Sequence, residues 1–68
     1  MQIGERVKGY RATLRLTQHA LAGQTGLRPE TISRLERGVV AKPDTDTIAK
    51  LARAFGITID ELVGSRAA

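Results

Sequence analysis

Sixty-eight residues, 7.3 kDa in all, are the length of one small domain spanning 1–68, and such a chain buries only about 60% of the surface it exposes when unfolded. With no Cys, one His and seven carboxylates, little remains from which to build a disulfide, a metal cage or a nucleophile–base pair, so no enzyme, metal or cofactor is expected. One Phe, one Tyr and no Trp argue against the aromatic platforms of single-strand and RNA binders, whereas a formal charge of +4 and a pI of about 10.4 point to a polyanion.

The whole excess of charge lies in the first half of the chain. Residues 1–38 hold seven bases against three acids, and residues 39–68 hold four of each. No apolar run approaches the roughly 20 residues that span a bilayer, and the start of the chain has no signal-peptide pattern. No membrane partner and a cytoplasmic location are therefore expected.

In chain order, helical spacing first appears near 2–14, where Ile3, Val7, Tyr10 and Leu14 form one apolar stripe. Leu16 plugs the following connection. Thr17 then caps a helix near 18–25 that offers Leu21 and Ala22, and Gly26 ends it. Leu27 plugs the next turn. A third helix near 29–37 starts with Pro29, suited to a first helical turn, and offers Ile32 and Leu35 before Gly38. After a loop over 38–43, Asp44 starts a helix near 45–55 whose stripe is Ile48, Leu51, Ala52 and Phe55, closed by Gly56. Thr58 with Glu61 makes a capping box for a last helix near 59–63, which offers Leu62 and ends at Gly64, leaving a tail over 65–68. No stretch alternates long enough to be a strand. The prediction is a compact all-α, five-helix domain. Gly9 and Gly23 fall inside helices, at a cost of up to about 1 kcal/mol each relative to Ala.

The second and third helices are joined by Gly26-Leu27, too short a link for anything but a sharp angle, which is the geometry of a helix-turn-helix. Ala22 must be small where the third helix crosses it. Leu27, Ile32 and Leu35 fix that helix by its inner side and leave Arg28, Glu30, Thr31, Arg34 and Arg37 outside. A plain helical hairpin fits the spacing too. His19 reads as a surface residue.

The run Thr17-Gln18-x2-Leu21-Ala22-x3-Gly26-x5-Ile32-Ser33-x2-Glu36-x-Gly38 resembles the phage-repressor/Cro-like (XRE-type) helix-turn-helix family. The likeness continues through Pro43, Asp46-Thr47-Ile48, the segment 48–57 and Asp60-Glu61-Leu62, almost the whole chain. It implies a lambda-repressor-like domain that binds double-stranded DNA in a sequence-specific way as a homodimer, a transcriptional regulator of repressor type. The third helix would lie in the major groove, with Arg28, Pro29, Glu30 and Arg34 at the base-reading positions. Arg34 suits guanine, while Glu30 fits either a cytosine amino group or a stabilising role at the helix N-terminus. The resemblance implies a phosphate contact for Gln18; Thr17, which also serves as a cap alone, and Arg37, Lys42 and Arg11 are further phosphate candidates. It also implies an ion pair between Arg11 and Glu36.

Two departures stand out. Arg28 and Pro29 occupy positions where the family usually has a small hydroxyl and a polar residue. The 38–43 loop is one residue longer than the common spacing and is apolar at Val39, Val40 and Ala41. Val39, Val40, Ile57 and Ile59 are candidate dimer contacts. The alternative reading is a helix-turn-helix module that meets another protein, such as a toxin or a coregulator.

Overall fold

Side-chain caps and glycines divide the chain into α1 (Ile3–Thr13), α2 (Gln18–Thr25), α3 (Pro29–Glu36), α4 (Thr45–Phe55) and α5 (Ile59–Val63) in a computed structural model that describes residues 3–39 and 43–64. No strand occurs among the described residues, and the architecture is all-α. Three helices start on the expected caps. Thr17 Oγ1 accepts from the Ala20 N–H at 3.0 Å, Asp44 Oδ1 from Thr47 at 2.9 Å, and Thr58 and Glu61 satisfy each other's backbone N–H reciprocally. At the sharp α2–α3 turn Gly26 takes φ 78°, a conformation a Cβ penalises, and its N–H reaches back to Ala22 O at 2.8 Å. Thr25 tightens the same turn. Its buried hydroxyl donates to Leu21 O at 2.9 Å and accepts from the Leu27 N–H at 3.2 Å.

Every helix contributes to one core. Val7, Leu21, Ile32, Leu35, Leu51 and Leu62 are fully buried, joined by Ile3, Ala22, Ala52 and Phe55. Tyr10 stacks on Phe55 with ring centroids 5.4 Å apart, tying α1 to α4. Leu16, Leu27, Ile48 and Ile57 pack against this core at its edges.

Helix α1 ends one residue earlier than its apolar stripe predicts. Leu14, expected inside, is 47% exposed. The chain leaves the helix through Arg15, which takes φ 58°, and the Leu16 N–H bonds Arg11 O at 3.0 Å. That turn brings Leu16 back to the core and leaves Leu14 outside. A left-handed conformation at a residue with a Cβ costs about 1–2 kcal/mol. Helix α3 likewise stops at Glu36, with Arg37 as its cap.

The seven glycines differ in what surrounds them. Gly9 and Gly23 face open space. Gly4 lies where α1 crosses α3, and a Cβ there would collide with the Leu35 carbonyl oxygen. The close approach of these two helices depends on that missing methyl.

Candidate nucleic-acid interface

Helix α3 is amphipathic in the simplest way: Ile32 and Leu35 are buried to 0% and 1% exposure, which turns the opposite face outward. Arg28 stands at its N-cap without a side-chain capping bond, exposed. Pro29 opens the first turn half-buried, and Glu30 beside it is exposed. Arg34 is exposed in the last turn. Arg37 is exposed just beyond, its Nε donating a long 3.4 Å bond to Ser33 O. The four residues expected at base edges thus share one short helix and its cap, and Arg37 extends the positive row.

The C-terminal end of α3 is fastened to the rest of the molecule by Glu36, whose side chain is only 4% exposed. Its carboxylate accepts from Arg11 Nε at 2.7 Å, Arg11 Nη2 at 2.9 Å and Gln18 Nε2 at 3.1 Å. The remaining Arg11 nitrogen, Nη1, donates to Leu16 O at 2.8 Å. One carboxylate therefore gathers the end of α1, the connection after it, the start of α2 and the end of α3. Burial pushes the Glu36 carboxyl up, but hydrogen bonds from Arg11 and Gln18 and the charges of Arg11 and Lys8 outweigh it and hold the group below its usual range. The same bond to Glu36 raises Arg11, against a smaller opposing effect of burial. Gln18 and Arg11, both expected at phosphates, here brace α3 from within.

Thr17 is exposed and acts as the cap of α2. His19 is exposed on the same helix. Of the candidate dimer contacts, Val39 is 65% and Ile59 41% exposed, whereas Ile57 is partly buried against the core. Val40 and Lys42 lie outside the described residues.

Sequence reasoning missed two features. Arg6 counts toward the positive excess, yet its guanidinium closes the end of α5: Nε donates to Leu62 O at 2.7 Å and Nη2 to Glu61 O at 2.6 Å, over Gly64. Only the pairing of a basic residue with helix-terminal carbonyls would have hinted at it, and nothing in the linear spacing links the two. The other is the strained Arg15, for which a non-glycine residue three positions before a helix start gives no signal.

Among the described residues no helix is long and apolar enough to cross a membrane, and no group of three His, Asp or Glu could hold a metal ion.

A family model described as helix-turn-helix matches residues 7–62. A protein of Archaeoglobus fulgidus described as an HTH-type transcriptional regulator is 39% identical over 57 residues, covering 84% of this chain and 79% of its own. Among solved structures, the P22 c2 repressor protein in complex with a synthetic operator superposes with a TM-score of 0.86 at 27% identity, covering 97% of this chain and 98% of that one. The restriction-modification controller protein C.AhdI from Aeromonas hydrophila gives a TM-score of 0.83 at 33% identity, over 88% and 89% of the two chains.

Proposed function

This chain belongs to the helix-turn-helix family of transcriptional regulators, and from that footing we propose that it docks α3 in the major groove of duplex DNA and reads sequence there as a homodimer. The observation that carries this reading is the outer face of α3. Arg28, Glu30 and Arg34 stand exposed on a helix anchored from behind by Ile32 and Leu35 and braced at its end by Glu36. A structural neighbour, the P22 c2 repressor, was solved on an operator, which supports DNA as the partner.

Each side chain takes a role its chemistry allows. Arg34 grips guanine O6 and N7, a fork worth about 1–3 kcal/mol of discrimination. Arg28 reads a base or holds a phosphate. Glu30 accepts from a cytosine amino group or excludes sites that offer only acceptors. Pro29 has no polar atom to read with and contributes shape at most. Arg37, with Lys42, holds phosphates, and Gln18 and Arg11 position α3 through Glu36. The chain acts as a repressor-type regulator rather than an enzyme, in the cytoplasm where its DNA lies. Val39 and Ile59 offer apolar surface to a second copy. The same side chains would suit a toxin or a coregulator, but the charged face of α3 favours DNA, because the cores of protein interfaces are depleted in charge.

Two substitutions test the assignment. Arg34→Ala is expected to relax preference at one base-pair position in each half-site. Arg37→Ala is expected to weaken all duplexes alike and to flatten the salt dependence by about one unit of slope per bound subunit. Affinities across a set of single-base-pair operator variants decide it: equal losses on every variant for Arg34→Ala refute the base-reading role.

A further inference from the structure

We propose that Arg15, at the corner between α1 and α2, clamps a DNA phosphate beside the recognition helix, an inference that rests on the DNA-binding reading above. Three observations carry it. Arg15 is a non-glycine residue in the left-handed region, and it is the one such residue among those described. Strain of this kind persists where the surroundings impose it, and it concentrates at functional sites. Its side chain is exposed and makes no hydrogen bond or ion pair among the described residues, so its cation is available.

The third observation is placement. Arg11 lies four residues before Arg15 and Gln18 three residues after it, and both are bonded to Glu36 at the end of α3. Arg11 also holds the carbonyl of Leu16, the next residue along. The residues on either side of the corner are thereby pinned at the C-terminal end of α3, the end that Arg37 caps. When α3 lies in a groove, the groove walls are phosphate strands, and the proposal sets this corner against one of them. Gln18 and Arg11 are turned inward to Glu36, so Arg15 supplies the charge at that edge. A glycine would make the same turn without strain but would carry no cation. An arginine there makes sense as a ligand for phosphate.

The test exploits a separation between stability and binding. Arg15→Gly removes the strain and the charge together, while Arg15→Lys keeps the charge. The full chain and both variants are titrated with a labelled duplex of random sequence at rising salt, and their thermal unfolding is followed in parallel. Arg15→Gly is expected to melt at or above the wild-type temperature yet to bind the duplex more weakly, with its salt slope shallower by about 0.9 per bound subunit. A fourfold rise in salt then weakens the wild type about three- to fourfold more, per bound subunit, than it weakens the glycine variant. Arg15→Lys is expected to keep the wild-type slope. Unchanged affinity and slope in Arg15→Gly, against a wild type that binds in a salt-dependent way, overturn the role of Arg15 and leave the DNA-binding reading standing. A wild type that binds no duplex overturns both.

Discussion

A methyl group decides how closely α1 and α3 approach. At Gly4 a Cβ has no room against the Leu35 carbonyl, whereas at Gly9, one and a half turns along the same helix, nothing stands within 4 Å. Gly4→Ala is therefore expected to destabilise by about 1–3 kcal/mol, the usual cost of overpacking. Gly9→Ala is expected to stabilise by up to about 1 kcal/mol, because it only removes helix-interior glycine from an exposed face. Urea unfolding of the two variants checks the contrast; opposite signs are predicted, and a neutral Gly4→Ala would contradict the packing of α1 on α3. The amino-acid sequence presents both glycines as the same interruption of a helical pattern. The difference belongs to a helix thirty residues away, which no local pattern reports. Arg15 is illegible for a similar reason, since its left-handed backbone is imposed by the return of Leu16 to the core.

Between elements, the legible features are those that act within a few residues. Caps at Thr17, Asp44 and Thr58 and the glycine at the α2–α3 turn work through hydrogen bonds over two to four residues, and they stand where spacing predicts. The braces are not local. Arg6 reaches α5 across 56 residues, and Gln18 meets Glu36 across 18. Arg6 and Arg11 count toward the positive excess, yet both guanidiniums are engaged by acceptors of the fold, so the row on α3 and the corner at Arg15 carry more of the accessible excess than their share of the sequence suggests. The Arg11–Glu36 pair reached the sequence reading only through resemblance to a family. Glu36 has a pH consequence. Its carboxyl titrates lower in the folded chain than in the unfolded one, so its contribution is fully present above the ordinary carboxylate range, near pH 4.3, and is lost as pH falls through the depressed folded value. Glu36→Gln is expected to cost about 2 kcal/mol at neutral pH, the worth of hydrogen bonds to a charged group, and to make stability less dependent on pH in the acid window. Denaturant midpoints at neutral and acid pH measure this. Parallel acid profiles for the two proteins would show that Glu36 is not the brace described.

For the whole molecule, size and charge take on a common meaning. The described residues span 34 × 24 × 20 Å, a size that suits the proposed pair of copies side by side on successive major grooves about 34 Å apart. On the proposed reading, a single short helix with Arg28, Glu30 and Arg34 would read few base pairs, and a second copy would double the site. The all-α fold and the helix-turn-helix were legible because glycine punctuation and apolar spacing determine them residue by residue. The contact proposed between two copies is less legible, because apolar residues next to loops suit a core or a partner alike; the fold exposes Val39 and Ile59 and packs Ile57, read also as a plug of its connection, against the core. At this scale we propose that the outer face of α3 reads duplex sequence in two symmetric copies. Selection of bound sites from a pool of random duplexes tests it most directly. The expected outcome is an enriched site with twofold-related halves about one helical turn apart, whose preference at one position in each half disappears with Arg34→Ala. A pool that stays random, or a preference that Arg34→Ala leaves untouched, would contradict it.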